Sequence, residues 1–147
     1  MRSPFALAVT LVALVLSLAA PVAAEDVRPF KIVVHPATAV TSLTVPQVSQ
    51  LFLRTKRTWD DGIAVAPVDQ VPGALREAFS KHVFGRSVSA IKSYWQSQLF
   101  AGRGVPPPEL RNDAAVVAHV TQTPGAIGYV SADAPVGTAR VVIVAPQ

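Results

Sequence analysis

The sequence contains no cysteine, which excludes several classes of protein at once. Disulfide bonds, thiolate metal sites and a cysteine-linked lipid anchor are all impossible, so the packing of apolar side chains must hold the fold together. The three histidines, His35, His82 and His119, are too far apart in the chain to form a metal-binding motif. The sequence therefore predicts neither a metal ion nor another cofactor.

Motifs of catalysis are missing as well. The chain has no Gly-x-Ser-x-Gly elbow and no phosphate-binding P-loop. The neighbouring carboxylates Asp60 and Asp61 precede Gly62, and this order is typical of a turn. We therefore predict that the protein is not an enzyme. A hydrolase whose catalytic residues are brought together only by folding remains an alternative to the two binding hypotheses given below.

Charged residues make up only 15% of the chain, and the excess of positive charge is small. Thirteen Lys and Arg stand against nine Asp and Glu, and the basic residues are spread along the chain without an interleaved aromatic stripe. This distribution argues against nucleic acid as a partner. One dense basic patch, Arg54, Lys56 and Arg57, fits either a solvated loop or a site that attracts an anionic ligand or a membrane surface.

The N-terminus has the pattern of a secretory signal peptide. Arg2 precedes an uncharged apolar run from Phe5 to Ala20, and Val22-Ala23-Ala24 offers small residues at a cleavage site. The run is shorter than the roughly 20 residues that span a bilayer, which argues against a membrane anchor. We predict that residues 1–24 are removed and that residues 25–147 form a single periplasmic or secreted domain without a membrane span.

From Phe30 onward, segments typical of strands alternate with segments typical of helices. The predicted strands are Phe30 to His35, Ile63 to Val68, Ala126 to Val130 and Val141 to Val144. The predicted helices begin at a Thr44 cap with Gln47 completing a capping box, at about Pro72 with an end near Val83, at a Ser87 cap, and at an Asn112 cap with an end near Val120. Short links between these segments predict an α/β fold with a central β-sheet flanked by helices.

The third predicted helix carries two neighbouring aromatic residues. Ile91, Tyr94, Trp95 and Leu99 recur at helical spacing, which favours a core-facing stripe over a platform for a ligand. Trp95 is therefore expected to be buried. The segment from Gly102 to Pro108, with three consecutive prolines, predicts an extended connection.

Five motifs occur in an order that resembles the phosphate-binding proteins of ABC transporters, members of the type 2 periplasmic solute-binding fold. They are SLTVPQVSQLF, TW followed by DG, APVD, PGALREAF and PGAIGYV. The resemblance runs from about Phe30 to Val144 and is to the second lobe of the family. The full family has two lobes that close on the ligand, whereas this chain has room for one.

The resemblance also implies where a ligand would bind. In the family, the loop before the second helix reads Ser-Gly-Thr and holds phosphate through hydroxyls and backbone amides, and this chain has Gly73, Ala74 and Leu75 there. The side-chain ligands are absent. The amides from Gly73 to Arg76, the helix dipole and the Arg76 guanidinium could still bind an oxyanion, and Asp69 would oppose it.

Two further hypotheses about function follow from the resemblance. In the first, the chain is an exported binding module for phosphate or a related oxyanion, which serves uptake or sensing with an ABC permease or with a second lobe or copy. In the second, it is an accessory or interaction protein that kept the lobe and lost the ligand. The missing hydroxyl ligands favour the second hypothesis, and titration with phosphate and sulfate separates the two.

Overall fold

A five-stranded mixed β-sheet forms the centre of the domain. The structure is a computed structural model and describes residues 28–146. Within that range the strands are β1 (Phe30–Val34), β2 (Ser42–Thr44), β3 (Ala66–Pro67), β4 (Asp69–Gln70), β5 (Glu109–Leu110), β6 (Ala126–Ser131) and β7 (Arg140–Ala145). The helices are α1 (Val45–Phe52), α2 (Ala74–Phe84), α3 (Val88–Phe100) and α4 (Asp113–Gln122).

The order of strands in the main sheet is β2-β7-β1-β6-β3. Strand β1 is antiparallel to both of its neighbours, β6 and β7, whereas the outer strands β2 and β3 pair in parallel with β7 and β6. Strands β4 and β5 form a separate two-stranded parallel pair. The structure confirms the predicted fold class, an α/β domain with a central sheet flanked by helices.

Alternating side chains of β1 divide the core into two layers. Ile32 and Val34 belong to a cluster that includes buried residues of α1 and α2 and is rich in aromatic rings, while Val33 belongs to a second cluster with α4. The second layer is tight, because a methyl group at Gly128 of β6 would lie 2.7 Å from a methyl carbon of Val116 in α4. Glycine at this position therefore allows α4 to approach the sheet closely.

Local capping signals set the starts of three helices, as predicted. Thr44 and Gln47 form a reciprocal capping box on α1, with the Gln47 amide 3.3 Å from the Thr44 hydroxyl oxygen. Ser87 caps α3, and Asn112 caps α4, each by accepting a hydrogen bond from a backbone amide three residues later. Trp95 is only 7% exposed, which confirms that it is a core residue.

Several boundaries differ from the sequence prediction. The strand expected from Ile63 shrinks to Ala66–Pro67, and the Ile63 side chain is exposed. Pro72 lies before the N-cap Gly73 and outside the first turn of α2. Leu99, expected to face inward, is half exposed near the end of α3. The segment after the three prolines contains the short strand β5.

The predicted signal peptide, residues 1–24, lies outside the described residues. Within residues 28–146, none of the helices combines the length and the apolar character that crossing a lipid bilayer requires.

Candidate functional site

Helix α2 begins without a side-chain cap, and this sets it apart from α1, α3 and α4. Its N-cap is Gly73, which has an extended backbone and no side chain to accept a bond from the first turn. The first backbone bond of the helix runs from the Glu77 amide to the Gly73 carbonyl, at 3.0 Å. The amides of Ala74, Leu75 and Arg76 therefore precede the helical bonding pattern and point toward the helix N-terminus.

The sequence-predicted site residues differ in exposure along this first turn. Gly73 and Ala74 are exposed, Leu75 is half-buried, and Arg76 is buried with 8% of its surface accessible. The partial positive charge of a helix N-terminus therefore reaches solvent beside Gly73 and Ala74. The Arg76 side chain instead runs into the protein.

Arg76 forms ion pairs with two carboxylates. One terminal nitrogen of the guanidinium lies 2.6 Å from the Glu109 carboxylate, and the other lies 3.2 Å from the Asp69 carboxylate. Asp69 and Glu109 are register partners in the parallel β4–β5 pair, so the backbone pairing itself places both acids beside the arginine. The charge of Arg76 is thus already compensated within the protein.

Tyr129 connects this ion-pair cluster to the core. Its hydroxyl donates a hydrogen bond of 2.5 Å to Asp69, and its ring stacks on Phe79 of α2 with centroids 3.8 Å apart. The amide of Gln70 also donates to the Asp69 carboxylate, at 2.8 Å. Asp69 is therefore held by a tyrosine hydroxyl, a backbone amide and a guanidinium, all of them donors.

Burial and charge act in opposite directions on the ionisable groups of the cluster. Burial raises the pKa of Asp69 above its ordinary value, although the Tyr129 hydroxyl and the Arg76 guanidinium both oppose that rise. Burial alone would lower the pKa of Arg76, but the nearby carboxylates Asp69 and Glu109 outweigh it and the pKa is raised. Arg76 therefore stays charged. Asp69 takes up a proton at a higher pH than an ordinary aspartate does.

Gln70 extends the cluster to the start of α4. Its side-chain nitrogen donates to the Asp113 carboxylate and to the Tyr129 carbonyl, each at 2.9 Å. The Ser131 amide donates to the same oxygen of Asp113 at 3.2 Å. Burial tends to raise the pKa of Asp113, but the hydrogen bonds from Gln70 and Ser131 together outweigh it and leave the pKa lowered. The first turn of α2, Gly73 to Arg76, is called the α2 site. It is paired through Arg76 with Asp69 and Glu109, and Gln70 links this cluster to a third carboxylate, Asp113.

Sequence reasoning identified Asp69 as a residue that would oppose an anion, and it missed Glu109, Tyr129, Gln70 and Asp113. The sequence around Glu109 contains no local motif that predicts a site. Glu109 follows three prolines and reaches Arg76 only because β5 pairs with β4. Asp113 was missed because it follows Asn112, and the role of Asn112 as a helix cap already explained why this segment is polar.

Three other residues singled out in the sequence, Asp60, Asp61 and His35, have structural partners in the described part of the chain. Asp60 forms an exposed ion pair with Lys56 at 2.9 Å, and Asp61 accepts a hydrogen bond from the Ile63 amide in the turn. The His35 ring nitrogen Nδ1 accepts a bond from the Ala37 amide. Among residues 28–146, groups of three or more His, Cys, Asp and Glu suitable for a metal ion are absent.

Comparison with solved structures finds the same fold in proteins of phosphate transport. A protein from Clostridium perfringens, described as a phosphate ABC transporter substrate-binding protein with bound phosphate, superposes with a TM-score of 0.58 at 17% identity, covering 78% of this chain and 44% of the other. An ABC-type phosphate transport receptor from Vibrio cholerae gives 0.52 at 15% identity, with 78% and 45% covered. PstS from Borrelia burgdorferi gives 0.54 at 12% identity, with 79% and 47% covered.

Sequence comparison adds no relative to this set. Neither the known protein-family models nor the curated protein sequences contain a significant match. The chain spans less than half of the length of the three solved structures that it resembles. The described residues therefore have the fold of one lobe of a periplasmic substrate-binding protein.

Proposed function

We propose that this protein is a solute-binding module that takes phosphate or a related oxyanion at the N-terminus of α2, through the amides of Gly73, Ala74, Leu75 and Arg76. The observation that carries the proposal is the uncapped first turn of α2, which leaves amides exposed in a fold shared with phosphate-binding proteins. Helix N-termini bind anions because free amides and the helix dipole both favour negative charge.

The neighbouring charges make the proposed affinity low. The turn lacks hydroxyl side chains, and Arg76 is engaged by Asp69 and Glu109. Each missing charge-assisted hydrogen bond removes about 1.5 to 3 kcal/mol, and about 1.4 kcal/mol corresponds to a factor of ten in affinity. Two or three such losses predict binding no tighter than roughly the high-micromolar range.

The test is a calorimetric titration of the domain with phosphate and with sulfate, supported by two variants. Ala74→Pro removes one of the proposed amide donors, and proline is tolerated at the first helical position after the extended Gly73. It should weaken binding about tenfold or more. The control, Ser89→Pro, introduces a proline at the second position of α3, the position that Pro46 occupies in α1, and should leave the affinity unaltered.

Glu109→Gln tests the competing carboxylate. Glu109 is the more exposed partner of Arg76, so its neutralisation should perturb the fold little while it frees part of the guanidinium. Phosphate should then bind more tightly than to the wild-type protein, by up to about tenfold. Equal affinities in the wild type, Ala74→Pro and Glu109→Gln would place any anion site elsewhere.

The second candidate function, an accessory or interaction module without a ligand, is favoured by the two ion pairs of Arg76. A guanidinium that already has two carboxylate partners can be part of a purely structural network. This alternative predicts that neither phosphate nor sulfate binds at millimolar concentration, in the wild type or in Glu109→Gln.

Export and a partner complete the proposal. We propose that the chain is secreted after removal of residues 1–24, so that N-terminal sequencing of the exported protein begins at Glu25 and not at Met1. Its partner would be an ABC permease, or a second lobe or copy that closes over the anion.

If a second copy completes the site, phosphate should promote dimerisation in sedimentation experiments, and the measured affinity should rise with protein concentration.

A further inference from the structure

A second concave site lies at the C-terminal end of α1, around the basic patch noted in the sequence. It is an open cleft of about 460 Å³ between the turn after α1, the C-terminal half of α3 and the loop that follows α3. Three arginines, Arg54, Arg57 and Arg103, line it together with Tyr94 and Trp95. The cleft shares no residue with the α2 site.

The positive charge of this cleft is not neutralised within residues 28–146. In the part of the chain that the structure describes, Arg54, Arg57 and Arg103 form no ion pair, whereas Lys56 of the same patch is paired with Asp60. Arg57 instead donates to two backbone carbonyls, those of Arg54 at 3.2 Å and Arg103 at 3.0 Å. The bond to Arg103 joins the turn after α1 to the loop after α3, and the bond to Arg54 fixes the turn itself, so three guanidinium-bearing residues lie around one space.

Arg54 is the most constrained of the three. It has a left-handed backbone with φ of +59°, and its Nε is buried and has no hydrogen-bond partner among the described residues. Burial, together with repulsion from Arg57, lowers the pKa of Arg54. A buried donor without a partner is costly, and an anion in the cleft would supply an acceptor and offset the mutual repulsion of the cations.

We propose that this cleft binds a multiply charged anion that carries phosphate groups. Arginine matches phosphate oxygens with paired donors, and three guanidiniums call for more than one negative charge. The half-buried ring of Tyr94, which meets the buried Trp95 edge to face at 5.1 Å, gives the cleft one aromatic wall. That wall can contact the uncharged part of a phosphorylated ligand.

The phosphate can belong to a soluble molecule or to a lipid headgroup, and a neighbouring residue distinguishes the two sources. Phe100, at the end of α3 next to the loop that carries Arg103, is 94% exposed. A protruding aromatic residue beside a basic patch suits insertion into the interface of an anionic bilayer. Phe100 lies outside the lining of the cleft, so a small soluble ligand does not need it.

The experiment is a calorimetric titration with pyrophosphate at physiological salt, with variants that keep the fold. Arg103→Gln removes an exposed guanidinium that makes no hydrogen bond in the described part of the chain. Arg54→Gly removes the guanidinium whose Nε is buried and also relieves the left-handed backbone. Each should weaken pyrophosphate binding about tenfold or more. Arg86→Gln, an equal loss of charge outside the cleft, should change the affinity less than about threefold.

A parallel assay measures co-sedimentation with vesicles of phosphatidylglycerol and of phosphatidylcholine. Soluble phosphate as the source predicts pyrophosphate binding that Phe100→Ser leaves unchanged, with little vesicle binding. Lipid as the source predicts binding to phosphatidylglycerol vesicles that falls in Arg103→Gln and in Phe100→Ser. The proposal is overturned if the wild type binds neither probe, or if Arg86→Gln weakens binding as much as Arg103→Gln and Arg54→Gly do. Loss of binding in Ala74→Pro with none in the cleft variants would assign the anion to α2 alone.

Discussion

Replacement of Arg76 by methionine tests whether the ion-pair cluster at α2 holds the domain together. Methionine keeps an apolar stem in the space of the arginine and removes only the charged donors. Asp69, with 13% of its side chain exposed, then loses its cationic partner in a largely buried position. Glu109, with 43% of its side chain exposed, can turn to water instead.

The expected cost follows from these two environments. Removal of one partner of a buried ion pair typically costs about 3 to 5 kcal/mol, because the other charge is left uncompensated. Asp69 keeps the hydrogen bonds from Tyr129 and from the Gln70 amide, which places the expected loss at the lower end, about 3 kcal/mol at pH 7. The loss at Glu109 adds less than about 1 kcal/mol.

The assay is urea unfolding at pH 7 and at pH 4, with the double variant Asp69→Asn/Arg76→Met as control. In Arg76→Met the pKa of Asp69 rises further above its ordinary value, because the guanidinium that opposes the rise is removed, so the folded variant takes up a proton at a higher pH than the folded wild type does. The penalty of Arg76→Met should therefore shrink at pH 4, and the double variant should be more stable than Arg76→Met at pH 7. A loss below about 1 kcal/mol at pH 7, or an equal loss at both pH values, would show that the charge of Arg76 does not stabilise the folded domain in this way.

Three further predictions concern packing, backbone geometry and pH. Trp95→Ala should destabilise the domain by about 3 to 5 kcal/mol in urea unfolding, and a change within about 0.5 kcal/mol would show that the ring is not a core element. Gly125→Ala should cost several kcal/mol, about 3 or more, because φ is +79° and the new methyl group would lie 2.1 Å from the Ala64 carbonyl oxygen; wild-type stability would contradict this geometry. Because the pKa of Asp113 is lowered, its charge stabilises the fold at pH values above the ordinary pKa of aspartate. This contribution is lost as the pH falls through the lowered pKa. The stability difference between wild type and Asp113→Asn should therefore decrease from pH 7 to pH 3, and a difference independent of pH would contradict the assignment.

Local signals in the sequence predicted most of the helices. Thr44, Ser87 and Asn112 each cap a helix through a bond to an amide three residues away, so the information lies within one turn of the chain. The short strands depend on distant partners instead. Strand β5 exists only because Glu109–Leu110 pairs with Asp69–Gln70, and two-residue strands leave no periodic pattern to read.

At the candidate site, too, the local features could be predicted from the sequence and the long-range contacts could not. The position of the first turn of α2 followed from the resemblance and from local order, but the state of Arg76 did not. An arginine near a helix start can face solvent and a ligand, or it can turn inward to acids supplied by other segments. The β4–β5 pairing, which brings Asp69 and Glu109 together, decides between these outcomes for Arg76.

The proposed function depends on the binding of an oxyanion by the amides of the first turn of α2. The most direct measurement is a titration of the isotopically labelled domain with phosphate, followed through the NMR amide signals of each residue. We predict that the amide signals of Ala74, Leu75 and Arg76 shift together, with a single dissociation constant in the high-micromolar range or weaker. Saturation without any shift at these three amides, or shifts confined to the cleft around Arg54, would contradict it.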